Sequence, residues 1–236
     1  EIAPEIGIWT NLKPDHLERH KTLNHYREIK YKLLKNSITG IYNAEDIQIS
    51  KYRKEQKNGF WISKKSNENK YLKNNYWINN KKIVMEEGLE LFHSSALKIP
   101  GDHNKENMLM VIAAARRIGL SPKSIEESLK SFKGVPHRLE SIGFIQNLEV
   151  FNDSKATNYE ASKVGLKAIP SPAIILVGGR KKEGDPSEWL IELKKRASTI
   201  ITFGESNLYL KELIKESGFI GKVISTQNIK EAVIKS

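Results

Sequence analysis

The chain has 236 residues, enough for one large domain or two modest ones that each bury a core. With 39% hydrophobic and 8% aromatic residues it is not a disordered chain, no apolar run reaches membrane-spanning length, and the absence of Cys excludes disulfides, zinc–thiolate sites and thiol catalysis. The net charge of +11 raises nucleic acid as a partner, but the excess is mostly Lys, spread out without interleaved aromatics, so a solvated surface is the better reading.

The sequence opens on Glu1-Ile2-Ala3-Pro4 without Met, which reads as a piece of a longer chain. Ile6 to Leu12 is a short apolar strand ending at the polar turn Lys13-Pro14-Asp15-His16. A helix follows from Leu23 to Asn36, with Thr22 as its N-cap. From Ile41 to Leu97 short runs such as Phe60-Trp61-Ile62, Tyr76-Trp77-Ile78 and Lys82-Ile83-Val84 alternate with turns, predicting an antiparallel meander. A helix is expected from Lys105 to Ile118, with Met108, Val111, Ile112 and Ala115 on its inner face and Gly119 ending it. Another runs from Ser121-Pro122 to Phe132. Lys133-Gly134-Val135-Pro136 reads as a linker, dividing the chain into domains 1–134 and 135–236. Beyond it, strands near Leu148–Asn152, Ala173–Val177, Ile200–Phe203 and Val223–Ile224 alternate with helices near Tyr159–Ala168, Ser187–Ala197, Leu208–Glu216 and Ile229–Lys235. That alternation predicts an α/β fold with a mostly parallel sheet.

Several residues could carry chemistry, each with a plainer explanation beside it. Lys30 falls in the apolar stripe Leu23, Tyr26, Lys30, Leu33; a snorkelling lysine accounts for that, but burial would favour a neutral, reactive amine. Asp15-His16 follows a strand, where α/β proteins place ligand groups, and His is a common metal ligand; helix capping by Asp15 fits equally. Asn104 reads as an N-cap, which leaves Asn107 without a capping reason and free to meet a base edge. Arg138, at the junction, offers a planar fork for phosphate or carboxylate, or is a surface residue beside a linker. Asn152-Asp153-Ser154-Lys155-Ala156-Thr157-Asn158 is the most informative stretch. Turn and cap formation explain its Asn, Asp and Ser, but not Lys155 and Thr157 as well. Gly178-Gly179, followed by Arg180, Lys181 and Lys182, suits an anion approached by backbone N–H groups. Neither a complete G-x-G-x-x-G nor a G-x-x-x-x-G-K-[ST] pattern is present.

Together, Thr10 through Leu17, Tyr26 with Lys30, Gly101-Asp102-His103-Asn104 with Asn107, His137-Arg138-Leu139-Glu140, Asn152 through Asn158, and Gly178-Gly179 with Lys182 resemble the Mur ligase family, in its D-glutamate-adding branch. The resemblance runs along most of the chain and is thinnest from Tyr42 to Lys82. It implies the later part of a P-loop-type central ATPase domain with small antiparallel strands, followed by a Rossmann-like C-terminal domain. It also implies a cytoplasmic, monomeric ligase of peptidoglycan synthesis that joins D-glutamate to UDP-N-acetylmuramoyl-L-alanine through an acyl phosphate. ATP and Mg2+ would serve as cofactors, with no nucleic acid or membrane partner. By resemblance, His16 and a carbamylated Lys30 hold metal, and Asn104, Asn107, Arg138 and Asp153 bind nucleotide. Lys155, Thr157 and Lys182 surround D-glutamate and the transferred group, and Lys30, His16, Lys155 and Lys182 form the catalytic set. The family's uridine-binding domain, phosphate loop and final segment are missing, so the piece alone is expected to be inactive. The Arg180-Lys181-Lys182 run leaves open which lysine takes the matched role. The alternatives are a related amide ligase, such as a folylpolyglutamate-type enzyme, and a basic nucleic-acid-binding module.

Overall fold

A computed structural model describes residues 3–12, 17–64, 75–181 and 184–236. The chain divides into two compact units, Glu1–Phe132 and Lys133–Ser236. Among the described residues, no helix is long and apolar enough to cross a membrane.

The first unit contains strands β1 (Ile6–Trp9), β2 (Thr39–Asn43), β3 (Phe60–Ser63), β4 (Asn75–Ile78), β5 (Ile83–Glu86) and β6 (Leu89–His93). Its helices are α1 (Leu17–His20), α2 (Leu23–Lys35), α3 (Ile47–Ser50), α4 (Asp102–Arg117) and α5 (Pro122–Ser131). The strands form one sheet in the order β1-β2-β3-β4-β5-β6. The expected meander forms only in part: β1 through β4 pair in parallel, and antiparallel pairing is confined to β4-β5-β6. The run Phe60-Trp61-Ile62 is buried throughout, as befits a parallel strand covered on both faces.

Successive side chains of a strand point to opposite faces, and this separates two cores. Ile41, Phe60 and Ile62 pack with Met108, Leu109, Ile112 and Ala113 of α4 and with Ile125 and Leu129 of α5. Tyr42 and Trp61 join Trp9, Tyr31, Leu34, Ile49 and Tyr52 in the second core. Tyr31 stacks on Tyr52 with ring centroids 3.9 Å apart, and Tyr42 on Trp61 at 4.8 Å.

Helix α2 starts where expected, because the Thr22 hydroxyl accepts the His25 N–H at 3.1 Å. Its buried side differs from the expected stripe. Tyr31 and Leu34 are buried, whereas Lys30 and Leu33 are exposed. The line Leu23, Arg27, Tyr31, Leu34 follows the helical period equally well and carries Tyr31 and Leu34 into the core. Helix α4 begins three residues earlier than expected, so Asn104 is inside it and Gly101 occupies the cap position. Val111 points outward, 54% exposed, and Leu109 and Ala113 take the inner face with Met108 and Ile112.

The second unit contains β7 (Glu140–Ile145), β8 (Leu148–Asn152), α6 (Tyr159–Ala168), β9 (Ala173–Gly178), α7 (Ser187–Arg196), β10 (Ala197–Phe203), α8 (Asn207–Glu216), β11 (Lys222–Ser225) and α9 (Ile229–Ile234). Strands β9 to β11 form a parallel sheet ordered β11-β10-β9. The strand ending at Asn152 was expected in that sheet; among the described residues it pairs instead with β7 as an antiparallel hairpin. The cause is the two-residue turn Gln146-Asn147, where both φ angles are positive (47° and 67°), matching the twist of a tight hairpin. The core of this unit is Leu166, Trp189, Leu193, Ile200, Leu210 and Ile214.

Glu86, 4% exposed, ties the antiparallel half of the first sheet to the end of α4. Its carboxylate accepts from the Tyr76 hydroxyl at 2.5 Å, Arg116 Nε at 2.8 Å and Arg117 Nη2 at 3.3 Å. Glu86→Ala should destabilise the first unit by about 2–3 kcal/mol, somewhat below the loss from a fully buried pair because both guanidiniums are partly exposed. Denaturant unfolding followed by Trp fluorescence measures this, and an unchanged midpoint would show that the network does not hold the sheet to the helix.

Candidate functional site

In the first unit, the carboxyl ends of three parallel strands meet the first turns of α4. Asn43, 2% exposed, donates its amide to the Thr10 carbonyl at 2.8 Å and to the Glu106 carboxylate at 3.0 Å. Its own carbonyl accepts the Glu45 N–H at 2.9 Å. The other Glu106 oxygen lies 2.7 Å from the Lys64 ammonium. Burial alone would lower the Lys64 pKa, but the Glu106 carboxylate outweighs it and holds the ammonium above its ordinary range. Asp46 accepts the Leu12 N–H at 2.8 Å and caps α3 through the Gln48 and Ile49 N–H groups. Thr10, Asn43 and Lys64, each at or just past a strand end, are thus fixed together with Glu106, which sits between Asn104 and Asn107 in the chain. Sequence reading missed Asn43, Lys64 and Glu106; only the placement of Asn43 directly after the apolar run Ile41-Tyr42 hints at its role.

Asn104 is half-buried, and its side-chain amide donates to the Pro100 carbonyl at 2.6 Å, closing the loop before α4. Asn107 is exposed on the following turn. Lys30 is exposed too, with its ammonium 5.2 Å from the centroid of the Tyr26 ring, so the burial that would favour a neutral amine is absent. Asp15 and His16 lie outside the described residues. Among the described residues, no three His, Cys, Asp or Glu side chains gather as a metal cage.

In the second unit, the loop after β8 is stitched to the segment before β7. Asp153 accepts the Leu139 N–H at 3.0 Å, the Lys155 N–H bonds the His137 carbonyl at 3.0 Å, and the Asn152 amide meets His137 Nδ1 at 2.9 Å. This brings the segments carrying Arg138, Asp153 and Lys155 side by side. A Cβ on Gly165 would lie 2.3 Å from the Asp153 carboxylate, so α6 leaves space for it. Arg138, Lys155 and Thr157 are exposed. Asn158 caps α6 by accepting the Ala161 N–H at 2.7 Å.

A cavity of about 90 Å³ opens at the carboxyl end of β9, lined by Thr157, Asn158, Tyr159, Gly178, Arg180, Lys181 and neighbours. Trp189 and Tyr159 form an aromatic wall, with ring centroids 5.2 Å apart, and Trp189 Nε1 donates to the Ser162 hydroxyl at 3.0 Å. Burial, aided by Tyr209, pushes the Tyr159 hydroxyl up to about 12, so it stays neutral. The structure thus joins Thr157 to the cations after Gly179, while Lys182 lies outside the described residues. Polar, cationic and aromatic groups around one small opening can hold a compact anion.

Residues 1–115 match the Mur ligase middle domain. Over 233 residues the chain is 50% identical to a UDP-N-acetylmuramoylalanine–D-glutamate ligase from Prochlorococcus marinus strain MIT 9313, covering 99% of this chain and 51% of that protein. It is 47% identical to a relative of the same name from Parasynechococcus marenigrum, covering 98% of this chain and 50% of the other. The chain therefore spans about half the length of the curated relatives it matches. Among solved structures, UDP-N-acetylmuramate-alanine ligase MurC from Thermotoga maritima aligns with a TM-score of 0.70 at 21% identity, over 98% of this chain and 53% of that one. Folylpolyglutamate synthase from Mycobacterium tuberculosis aligns with a TM-score of 0.69 at 12% identity, over 99% and 57%. Both show a shared fold.

The strand-end cluster gives a direct test. Asn43→Asp keeps the acceptor for Glu45 but loses both donors and sets a second carboxylate beside Glu106. It should cost about 2–4 kcal/mol near neutral pH. Crowded carboxylates titrate above their ordinary range, so the penalty should shrink as pH falls through that range and the new acid is protonated. Unfolding curves at neutral and acidic pH decide this, and equal deficits at both would remove the charge argument.

Proposed function

The chain belongs to the Mur ligase family, and on that premise we propose that its protein is the ligase that joins D-glutamate to UDP-N-acetylmuramoyl-L-alanine at the expense of ATP. The observation that carries this reading is the 46–50% identity, along essentially the whole chain, to relatives bearing that name. Supporting it is the Asn152–Asn158 loop, which delivers Thr157 to an anion-sized cavity. The first unit is proposed as the later part of the nucleotide-binding domain, and the second as a Rossmann-like domain that receives the amino acid.

The chemistry is phosphoryl transfer from ATP to the precursor's carboxylate, followed by attack of the D-glutamate amine on the acyl phosphate and departure of phosphate. Asn104 and Asn107 are proposed for the adenine. The Asn104 amide is tied to Pro100, which leaves its carbonyl and the Asn107 side chain as the available groups. Arg138 and Asp153 are proposed for the nucleotide, with Asp153 braced by Leu139. Lys155, Thr157 and Lys182 would surround D-glutamate and the transferred group, their cations countering its carboxylates and the developing phosphate charge. Mg2+, bound with the phosphates, would neutralise charge there, with His16 and a carbamylated Lys30 as its protein ligands. The carbamylated Lys30 is proposed from the likeness to the family alone.

The full-length protein, given ATP and precursor, should release phosphate and form the amide with D-glutamate far faster than with other amino acids. A preference for a folate substrate, or salt-sensitive nucleic-acid binding in place of amide formation, would defeat the reading. Lys30→Ala in that protein should lower kcat by at least about a hundredfold, with partial recovery in a short carboxylate such as formate. Undiminished turnover in the variant would take Lys30 out of the mechanism.

A further inference from the structure

Helix α4 begins with little to anchor it. Gly101 occupies the cap position at φ = 104° and brings no side-chain hydrogen bond. The residues from Asp102 to Asn107 are all polar, and Met108, 2% exposed, is the first to reach the core. The Asn104 amide bonds the Pro100 carbonyl and Lys105 bonds Asp102, both within this one turn. Apolar packing therefore does not set the direction of the segment that carries Asn104 and Asn107.

Glu106 joins this segment to the sheet. One of its carboxylate oxygens accepts the Asn43 amide at 3.0 Å at the end of β2, and the other meets the Lys64 ammonium at 2.7 Å just past β3. Asn43 also donates to the Thr10 carbonyl after β1 at 2.8 Å, so three strand ends converge on one carboxylate. The Lys64 and Glu106 side chains are 27% and 20% exposed, which shields their contact from the solvent that weakens a surface pair. Glu45 and Asp102 add their charge to the field around Lys64. Successive residues turn by about 100° round a helix, so any rotation that parted Glu106 from the strand ends would carry Asn107 with it.

We propose that Glu106, held by Lys64 and Asn43, is a positioning residue for the nucleotide base: it fixes the rotation of the first turns of α4, and so the direction in which Asn107 presents its amide to adenine. This rests on the proposed assignment of Asn104 and Asn107 and adds to it a residue that does not itself touch the base. An asparagine amide tells adenine from guanine because its donor and acceptor must meet an acceptor and a donor of the base in a fixed order. That discrimination is what a misdirected amide loses first.

The test uses the full-length enzyme, with steady-state kinetics and direct titration of ADP in the absence of turnover. Glu106→Gln keeps the shape and an acceptor for Asn43 but gives up the ion pair. Its KM for ATP and its dissociation constant for ADP should both rise about tenfold. The preference for ATP over GTP should fall, with KM for D-glutamate unmoved. Lys64→Met should do the same, and Lys64→Arg should stay near wild type. Lys64→Met and Glu106→Gln combined should be no worse than either alone, because they remove one contact. If melting curves show that Glu106→Gln misfolds, Lys64→Met carries the test. A folded variant with unchanged KM for ATP and unchanged base preference overturns the positioning role, and so does an equal rise in KM for D-glutamate, the mark of general loosening. Asn107→Ala, run beside them, separates the two ideas. If it leaves the base preference intact, the adenine assignment fails and the proposal with it. If it abolishes the preference while Glu106→Gln does not lower it, the assignment stands and the positioning role alone falls.

Discussion

Parallel strands end in backbone carbonyl and amide groups that no neighbouring strand completes, and in a folded chain those groups must find partners. In each unit a single asparagine does much of this. Asn43 joins the end of β1 to Glu45 and to the Glu106 carboxylate of α4. In the second unit, Asn207 accepts from the Thr202 and Ser225 hydroxyls and donates to the Thr226 carbonyl at 2.8 Å, linking β10, β11 and the start of α8. An amide suits the task because it donates and accepts at once without bringing charge into a buried place. Asn104 and Asn107 flank Glu106 on α4 and so sit beside the first of these junctions.

Placing function at those junctions divides the work chemically. The first unit offers a half-buried ion pair, Lys64 with Glu106, beside the two amides proposed for a base. The second offers Arg180 and Lys181 beside hydroxyls and aromatic faces. A neutral heterocycle and a dianionic amino acid make opposite demands of this kind. The excess of lysine along the chain, by contrast, does not account for either site: both depend on a few residues whose neighbours fix their direction.

Much of the architecture could be read from residue order. Thr22 before α2, Ser121-Pro122 before α5 and the strand–helix alternation after Tyr159 depend on local caps and periodicity, and these act within a few residues. What local pattern could not supply was the choice between near-equivalent arrangements. The stripe through Lys30 and the stripe through Tyr31 both obey the helical period, and only packing against Tyr52 and Trp9 favours the second. Phe60-Trp61-Ile62 is too short to declare whether its neighbours run parallel. The hairpin was announced by Gln146-Asn147, a weaker signal than Asn-Gly because Gln seldom takes positive φ. Of the site, the Asn152–Asn158 loop was legible from its unusual mixture of residue types. The cluster of Asn43, Lys64 and Glu106 was not, because it joins three segments distant in sequence.

The ribbon of β7 and β8 carries Ile142, Phe144, Ile145 and Leu148 outward, with Phe144 71% exposed. Such a greasy tab on a polypeptide of net charge +11 sets two long-range tendencies against each other in solution. In dilute buffer, like-charged molecules hold one another apart. Added electrolyte shortens the reach of that repulsion to within about 10 Å at 0.1 M, leaving the attraction between tabs unopposed. Salting should therefore drive this polypeptide toward self-association, the reverse of what a basic protein clinging to polyanions would do.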